Sequence, residues 1–425
     1  MHKTDYTAIG ETLYTTMLPN GLPIYVVPKP GYRKTFAVFA ANYGGADRRF
    51  ILGGETIDTP AGVAHYLEHK MFDTPDGDAL MRLSATGANP NAFTSEAMTA
   101  YHFECTAQFE ENLRTLLSFV SVPYFTQESV DKERGIIAQE IRMYEDNPNF
   151  AVYESLMKIL FAHSPLRDSV AGTVESIAHI TPEVLYNCHK VFYHPSNMAL
   201  CVVGNADPET VEAIAREMLT PDMAERPGRD YGAAETLYPV QALTERHMEV
   251  ASTLFMIGAK LGEMKTGDNA QRERITASLA LRCLCGSSSP FYIKHYSEGL
   301  LNASFGTDID FAAGQGMVAF EGDTSKDPKA VFDALMAECE QVSKNGFDEG
   351  LFLRQKKASY GGRIRALSSF RAQAVAMAEG SFAGFQPLDA FSVMETVTAD
   401  DAAAWVREHL TPERMAMSVI YPKEV

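Results

Sequence analysis

The sequence predicts an α+β protein built from two related halves, each a mainly antiparallel sheet with helices packed on one face. Three observations point there. Short apolar strand runs alternate with capped amphipathic helices in a mixed order, unlike the regular alternation of a doubly wound sheet. A stretch rich in proline and glycine, Thr220 to Pro239, interrupts the chain near its midpoint. The halves also echo each other: Phe125-Thr126-Gln127-Glu128 opens one charged helix and Phe347-Asp348-Glu349 another, 222 residues apart (125 to 347).

The elements follow in order. Asn20-Gly21 is a turn signal between two strand runs, Leu13 to Met17 and Ile24 to Val27. Lys34 to Tyr43 is an apolar, aromatic-rich strand closed by Gly44-Gly45. Asp58-Thr59-Pro60 reads as a helix start, with Thr59 as N-cap and Pro60 at the first helical position, so that the helix carries Ala64 to Phe72. Thr126 to Asp146 is a long helix that must stop before Asn147-Pro148, because the residue before proline is driven out of the helical region. Met198 to Val203 is a buried strand, and Asp207-Pro208-Glu209 starts a helix through Leu219. In the second half, Thr253 to Ile257 and Met317 to Phe320 are strands, Asn269 to Cys283 is a helix, and Asp327-Pro328 starts another. The expected domains are 1–225 and 240–425, joined by a linker over 226–239.

Composition narrows the function. The chain has 425 residues, enough for two to four domains at about 100–200 residues each. It is 46% hydrophobic and 22% charged, ordinary for a globular protein. Asp and Glu number 55 against 37 Lys and Arg, a net charge of −18. Such a surface is a poor match for nucleic acid or an anionic membrane, so neither is expected as a partner. No apolar run approaches the ~20 residues needed to span a bilayer, and Met1 to Tyr6 has none of the features of a secretory leader. The six scattered cysteines read as reduced core residues. The expectation is a cytoplasmic protein.

One segment carries chemistry. His65-Tyr66-Leu67-Glu68-His69 has the pattern H-x-x-E-H. On a helix, residues four apart share a face, so His65 and His69 can reach one metal ion. Glu68, three residues from His65, lies on the same side, where it can take a proton from an attacking water without binding the metal. A catalytic zinc needs a third protein ligand. The helix after Thr126 offers Glu128, Glu133, Glu140 and Glu145, of which Glu133 and Glu140 are two turns apart and face the same way. One of that pair could bind the metal while the other orients a histidine ring.

With Gly62-Val63-Ala64 before it, the pentapeptide resembles the pitrilysin/insulinase-type zinc metallopeptidases, the inverzincins. The resemblance continues through Asn91-Ala92-Phe93-Thr94-Ser95 with Thr99 and Tyr101. It then runs through Glu133-Arg134-Gly135 to Glu140 and Phe192-Tyr193-His194-Pro195-Ser196-Asn197-Met198, all in family order. It implies zinc held by His65, His69 and Glu140, Glu68 as general base, and Glu133 supporting a ligand. It implies that Asn91, Ala92 and Phe93 form an edge strand to which an extended peptide or unfolded segment adds. The two halves would close as a clamshell.

Active relatives often carry an Arg and a Tyr in the second half, in a segment resembling R-x-x-x-G-L-x-Y. In strict register His295 and Asn302 stand there instead, and a one-residue slip brings Tyr296 to the Arg position. The resemblance therefore implies a homologous partner subunit that completes the site in a heterodimer, with a homodimer as the alternative assembly. The competing expectation is a catalytically silent scaffold that keeps the peptidase fold. Lys70-Met71-Phe72, Leu18 to Gly21 and Tyr43-Gly44-Gly45 further resemble a bacterial branch of the family associated with modification of elongation factor P.

Overall fold

The computed structural model describes residues 1–423. The first compact unit takes in Met1–Ile141, Ser169–Tyr231 and Ile364–Leu388, and the second takes in Arg142–Asp168, Gly232–Arg363 and Asp389–Val425.

The first unit is built on a seven-stranded sheet. Its strands lie in the order His2–Tyr6, Glu11–Met17, Pro23–Pro28, Met198–Gly204, Thr35–Ala41, Thr99–Cys105, Asn89–Thr94. Among the described residues, only the pair Pro23–Pro28 and Met198–Gly204 of this sheet is parallel. Thr35–Ala41 is buried at every position, so both of its faces are covered. Alternation along the neighbouring strand sorts the two faces. Tyr101 and Phe103 point to the helix Phe109–Ser121, through ring contacts with Phe119 and Phe109. Ala100 instead packs with Val38, Ala40 and Cys201 against Phe370, Ala374 and Met377 of the helix Phe370–Ala383.

The second unit holds a five-stranded sheet ordered Leu243–Met248, Met415–Pro422, Thr253–Glu263, Gln315–Thr324, Gly306–Ala312. Here too one pair is parallel, Leu243–Met248 with Met415–Pro422. Its main core lies between Phe255, Ile257 and Ala259 and the helices Gly267–Cys285, Pro328–Asn345 and Ala399–His409. The opposite face meets the helix Pro148–Leu160. A Cβ on Gly258 would sit 2.9 Å from a methyl of Leu156, so glycine there permits the close approach.

The duplication is explicit in this topology. Numbered along the chain, the last five strands of the first sheet and all five of the second both run 1-5-2-4-3, with the same parallel pair. The helices opened after Phe125 and Phe347 correspond, and so do those that follow, starting at Pro148 and Phe370, again 222 residues apart (148 to 370). Each of these following helices packs on the sheet formed by the other half of the sequence. The compact units are therefore discontinuous in sequence. The expected boundaries at 225 and 240 separate the sheets but not the helices that cover them.

Other details differ from expectation. Thr59 and Pro60 do not start the first helix, which spans Val63–Lys70 behind a left-handed Gly62 with φ of 93°. The Thr59 hydroxyl is instead committed to the carbonyl of Arg48, at the base of the hairpin Arg49–Leu52/Glu55–Asp58. Phe72 lies beyond the helix. Asp207 and Asp327 both cap helices, but those helices are not equivalent: one follows the last strand of its half and the other precedes it. The 226–239 segment is not a loose tether. Gly228–Arg229 pairs with Phe50 and Ile51, Arg229 bonds buried Asp47, and Glu235 pairs with buried Lys260.

Candidate metal centre

Two helices build the site. Val63–Lys70 buries Val63, Ala64, Tyr66 and Leu67, which turns His65, Glu68 and His69 towards one another. Gln127–Glu145 buries Val130, Ile137 and Ile141, and this sets the faces of Glu133 and Glu140. Tyr66 ties the two together by donating its hydroxyl proton to the carbonyl of Val130. Gly62 fixes where the first helix starts, since a Cβ there would lie 2.5 Å from the carbonyl oxygen of Ala171.

The His65 and His69 rings lie with centroids 4.7 Å apart. Glu140 Oε2 is 3.7 Å from His65 Nε2 and 3.5 Å from His69 Nε2. One ligand atom from each of the three lies within 4.8 Å of the others, the one such grouping among the described residues. Tetrahedral zinc with bonds of about 2.0–2.2 Å holds its donors roughly 3.3–3.5 Å apart. The donor set, and the spacing of Glu140 to each ring, thus fit zinc.

The surrounding groups tune these side chains. Burial and the neighbouring His69 push His65 down to about 4, which keeps its imidazole neutral and its lone pair free. His65 Nδ1 is buried with no hydrogen-bond partner among the described residues, so no hydrogen bond at that atom orients the ring. His69 differs. Burial lowers its pKa, but the hydrogen bond to Glu133 and the nearby carboxylates outweigh that, and the net shift is upward. Glu133 in turn is lowered, chiefly by the bond from His69, and stays ionised.

Glu68 accepts a 2.6 Å hydrogen bond from the Thr94 hydroxyl. Its burial raises the carboxyl against the lowering effects of that bond and of His69, and the net shift is upward, as suits a proton acceptor. Lys70 is buried and ion-paired with Asp73. Thr94 is the residue that sequence reasoning left without a role. The signal was there: in a strand it shares a face with Ala92, two residues back.

Asn91, Ala92 and Phe93 lie on Asn89–Thr94, the outer strand of the sheet, which among the described residues pairs only with Thr99–Cys105. The Ala92 N–H is capped by its neighbour's Asn91 Oδ1 at 2.8 Å. Phe93 packs towards the helix Phe370–Ala383, with the Arg371 guanidinium 6.0 Å from its ring centre. In the second unit, His295 Nδ1 lies 3.0 Å from Glu298. Asn302 donates to the backbone and side chain of Asp323 and accepts from Ser304. Its amide is fully used in holding a turn. Tyr296 is exposed and stacks on Tyr292.

A duplicated α+β frame, with two histidines and a glutamate gathered between two helices, defines a zinc-protein class of the inverted H-x-x-E-H type. Comparison with known proteins agrees. Residues 50–174 match the insulinase model (peptidase family M16), and residues 179–359 match the peptidase M16 inactive domain. The chain is 36% identical over 99% of its own length to the uncharacterized zinc protease YmfH of Bacillus subtilis, covering 99% of that protein. A zinc protease of Mycobacterium leprae, ML0855, is 29% identical over 48% of this chain and 45% of its own. A crystal structure of an M16-like protein from Alicyclobacillus acidocaldarius superposes with a TM-score of 0.93, at 32% identity, over 97% of this chain and 99% of that one. The chain belongs to the insulinase family of zinc proteases, peptidase family M16. Zinc is the metal of this family. Among the described residues no helix is long and apolar enough to cross a membrane.

Proposed function

We propose that this chain is a zinc-dependent peptidase that hydrolyses peptide bonds in peptides or unfolded segments, acting as the zinc-bearing member of a pair of homologous subunits. One observation carries the reading: His65, His69 and Glu140 converge while Glu68 is held beside them by Thr94. His65 and His69 would bind zinc through Nε2, and Glu140 through a carboxylate oxygen. When bound, zinc polarises the scissile carbonyl and acidifies the attacking water.

The chain's own residues do the rest. Glu68 takes the proton of the attacking water and passes it to the leaving amine. Glu133 accepts the Nδ1 proton of His69 and so keeps Nε2 free for the metal. The open edge of Asn89–Thr94 receives the peptide as an added strand, through Asn91, Ala92 and Phe93. Backbone pairing of this sort tolerates many sequences.

Asn302 and His295 point to a partner. Neither can replace the Arg and Tyr of active relatives, because both are engaged locally. A homologous subunit of different sequence supplies those groups and with them the stabilisation of the oxyanion. We place the protein in the cytoplasm, in keeping with six buried free thiols.

The test is co-purification from the source cell, followed by zinc analysis and digestion of a peptide library. About one zinc per chain and cleavage by the complex support the reading. Zinc-loaded complex that cuts no peptide would reduce the chain to a scaffold.

A further inference from the structure

We propose that Thr94 is a positioning residue: its hydroxyl aims the Glu68 carboxylate and links it rigidly to the strand on which the peptide docks. The inference rests on the reading of Glu68 as general base.

Two hydroxyls settle the direction of the bonds. Thr99, fully buried on the partner strand, gives its proton to the carbonyl oxygen of Tyr43 at 2.8 Å. Thr94 gives its own to Glu68 Oε2 at 2.6 Å. The two side chains face each other in the strand register with their oxygens 3.5 Å apart. Since Thr99's proton is committed to Tyr43 and Thr94's to Glu68, this approach is packing that holds Thr94 in one rotamer. The turn that follows is locked as well: the Ser95 N–H bonds the Met98 carbonyl at 2.8 Å, and Ser95 Oγ accepts from the Met98 N–H at 3.1 Å.

Thr94 is therefore a fixed donor at the end of the edge strand. It occupies one oxygen of Glu68 and leaves Oε1 for a water proton. A hydrogen bond to an ionised group is directional and stronger than a neutral one, so it can hold a side chain with three rotatable bonds. Because Thr94 belongs to Asn89–Thr94, the docking strand and the base move as one piece. Substrate register and proton transfer are thereby coupled through a single side chain.

The experiment compares Thr94→Val, which keeps the shape and loses the donor, with Thr94→Ser, which keeps the donor. Both are assayed in the purified complex beside Glu68→Gln, and crystal structures of the Val and Ser variants supply a second readout. The expected result is a kcat about 10- to 100-fold lower in the Val variant, the loss expected for one hydrogen bond to a charged group. KM and zinc content stay unchanged, and the Ser variant returns to within a few-fold of the parent. In the crystal, Glu68 leaves its place in the Val variant and keeps it in the Ser variant. A Val variant with parental kcat, or with Glu68 unmoved, overturns the proposal, as does a Ser variant no better than Val. A Glu68→Gln variant that cleaves normally sinks the base assignment itself, and the crystal structures then judge Thr94 separately.

Discussion

His69 Nδ1 and Glu133 Oε1 lie 3.0 Å apart, on the side of the ring opposite Glu140. An ionised carboxylate only accepts, so the proton sits on Nδ1 and the lone pair on Nε2 faces the other ligands. Glu133→Ala should weaken zinc binding about 10- to 100-fold without abolishing it. Competition with a chromophoric chelator measures this, and unchanged affinity would show that His69 needs no hydrogen bond at Nδ1 to be oriented.

The ligands and the base should separate cleanly. His65→Ala and Glu140→Gln are expected to lose zinc, as read by elemental analysis of purified protein. Glu68→Gln is expected to keep it while cleavage falls about 10²- to 10⁴-fold. Zinc retained at full stoichiometry in Glu140→Gln would point to another third ligand.

Gly62 is a backbone prediction. Alanine there must adopt a φ of 93° and meet the Ala171 carbonyl, a strain of about 1–3 kcal/mol. Gly62→Ala should lower the melting temperature, and because it displaces the start of the His65 helix, it should lower zinc occupancy too. A variant with parental melting and zinc content would refute the role given to this glycine.

Glu235 and Lys260 form an ion pair whose side chains are 3% and 1% exposed. Burial alone would raise the Glu235 carboxyl, but the N–H groups of His163 and Ser164 and the Lys260 ammonium hold it at about 2. A depressed folded pKa contributes stability above the unfolded value of about 4.3, and that contribution is lost as pH falls towards 2. The melting temperature of the metal-free parent should therefore converge on that of Glu235→Gln between about pH 4.5 and pH 2. Parallel curves through that window would exclude the linkage. Lys260→Met should lower the melting temperature at neutral pH, because it removes the cationic partner of the Glu235 carboxylate and leaves it only its backbone N–H donors.

Much of this protein was legible before folding. The spacing of His65, Glu68 and His69 is a local matter, since one helical turn puts them on a face whatever surrounds them. The stop before Pro148 is equally local, and the helix does end at Glu145. The echo at 222 residues falls on helices that hold the same place in the two halves.

What the sequence left open depends on distant partners. Glu133 and Glu140 share a helix face, and their order in the chain says nothing about which meets the metal. Only the docking of that helix, through Tyr66 and Val130, brings Glu140 to both Nε2 atoms and Glu133 to Nδ1. The apolar stripe of Pro148–Leu160 announces burial without naming the sheet it covers. Thr59 looked like a helix cap until the Arg48 carbonyl claimed its hydroxyl. In each case local periodicity says which side of an element is buried, while tertiary packing chooses what it is buried against, because that choice is made by atoms tens or hundreds of residues away.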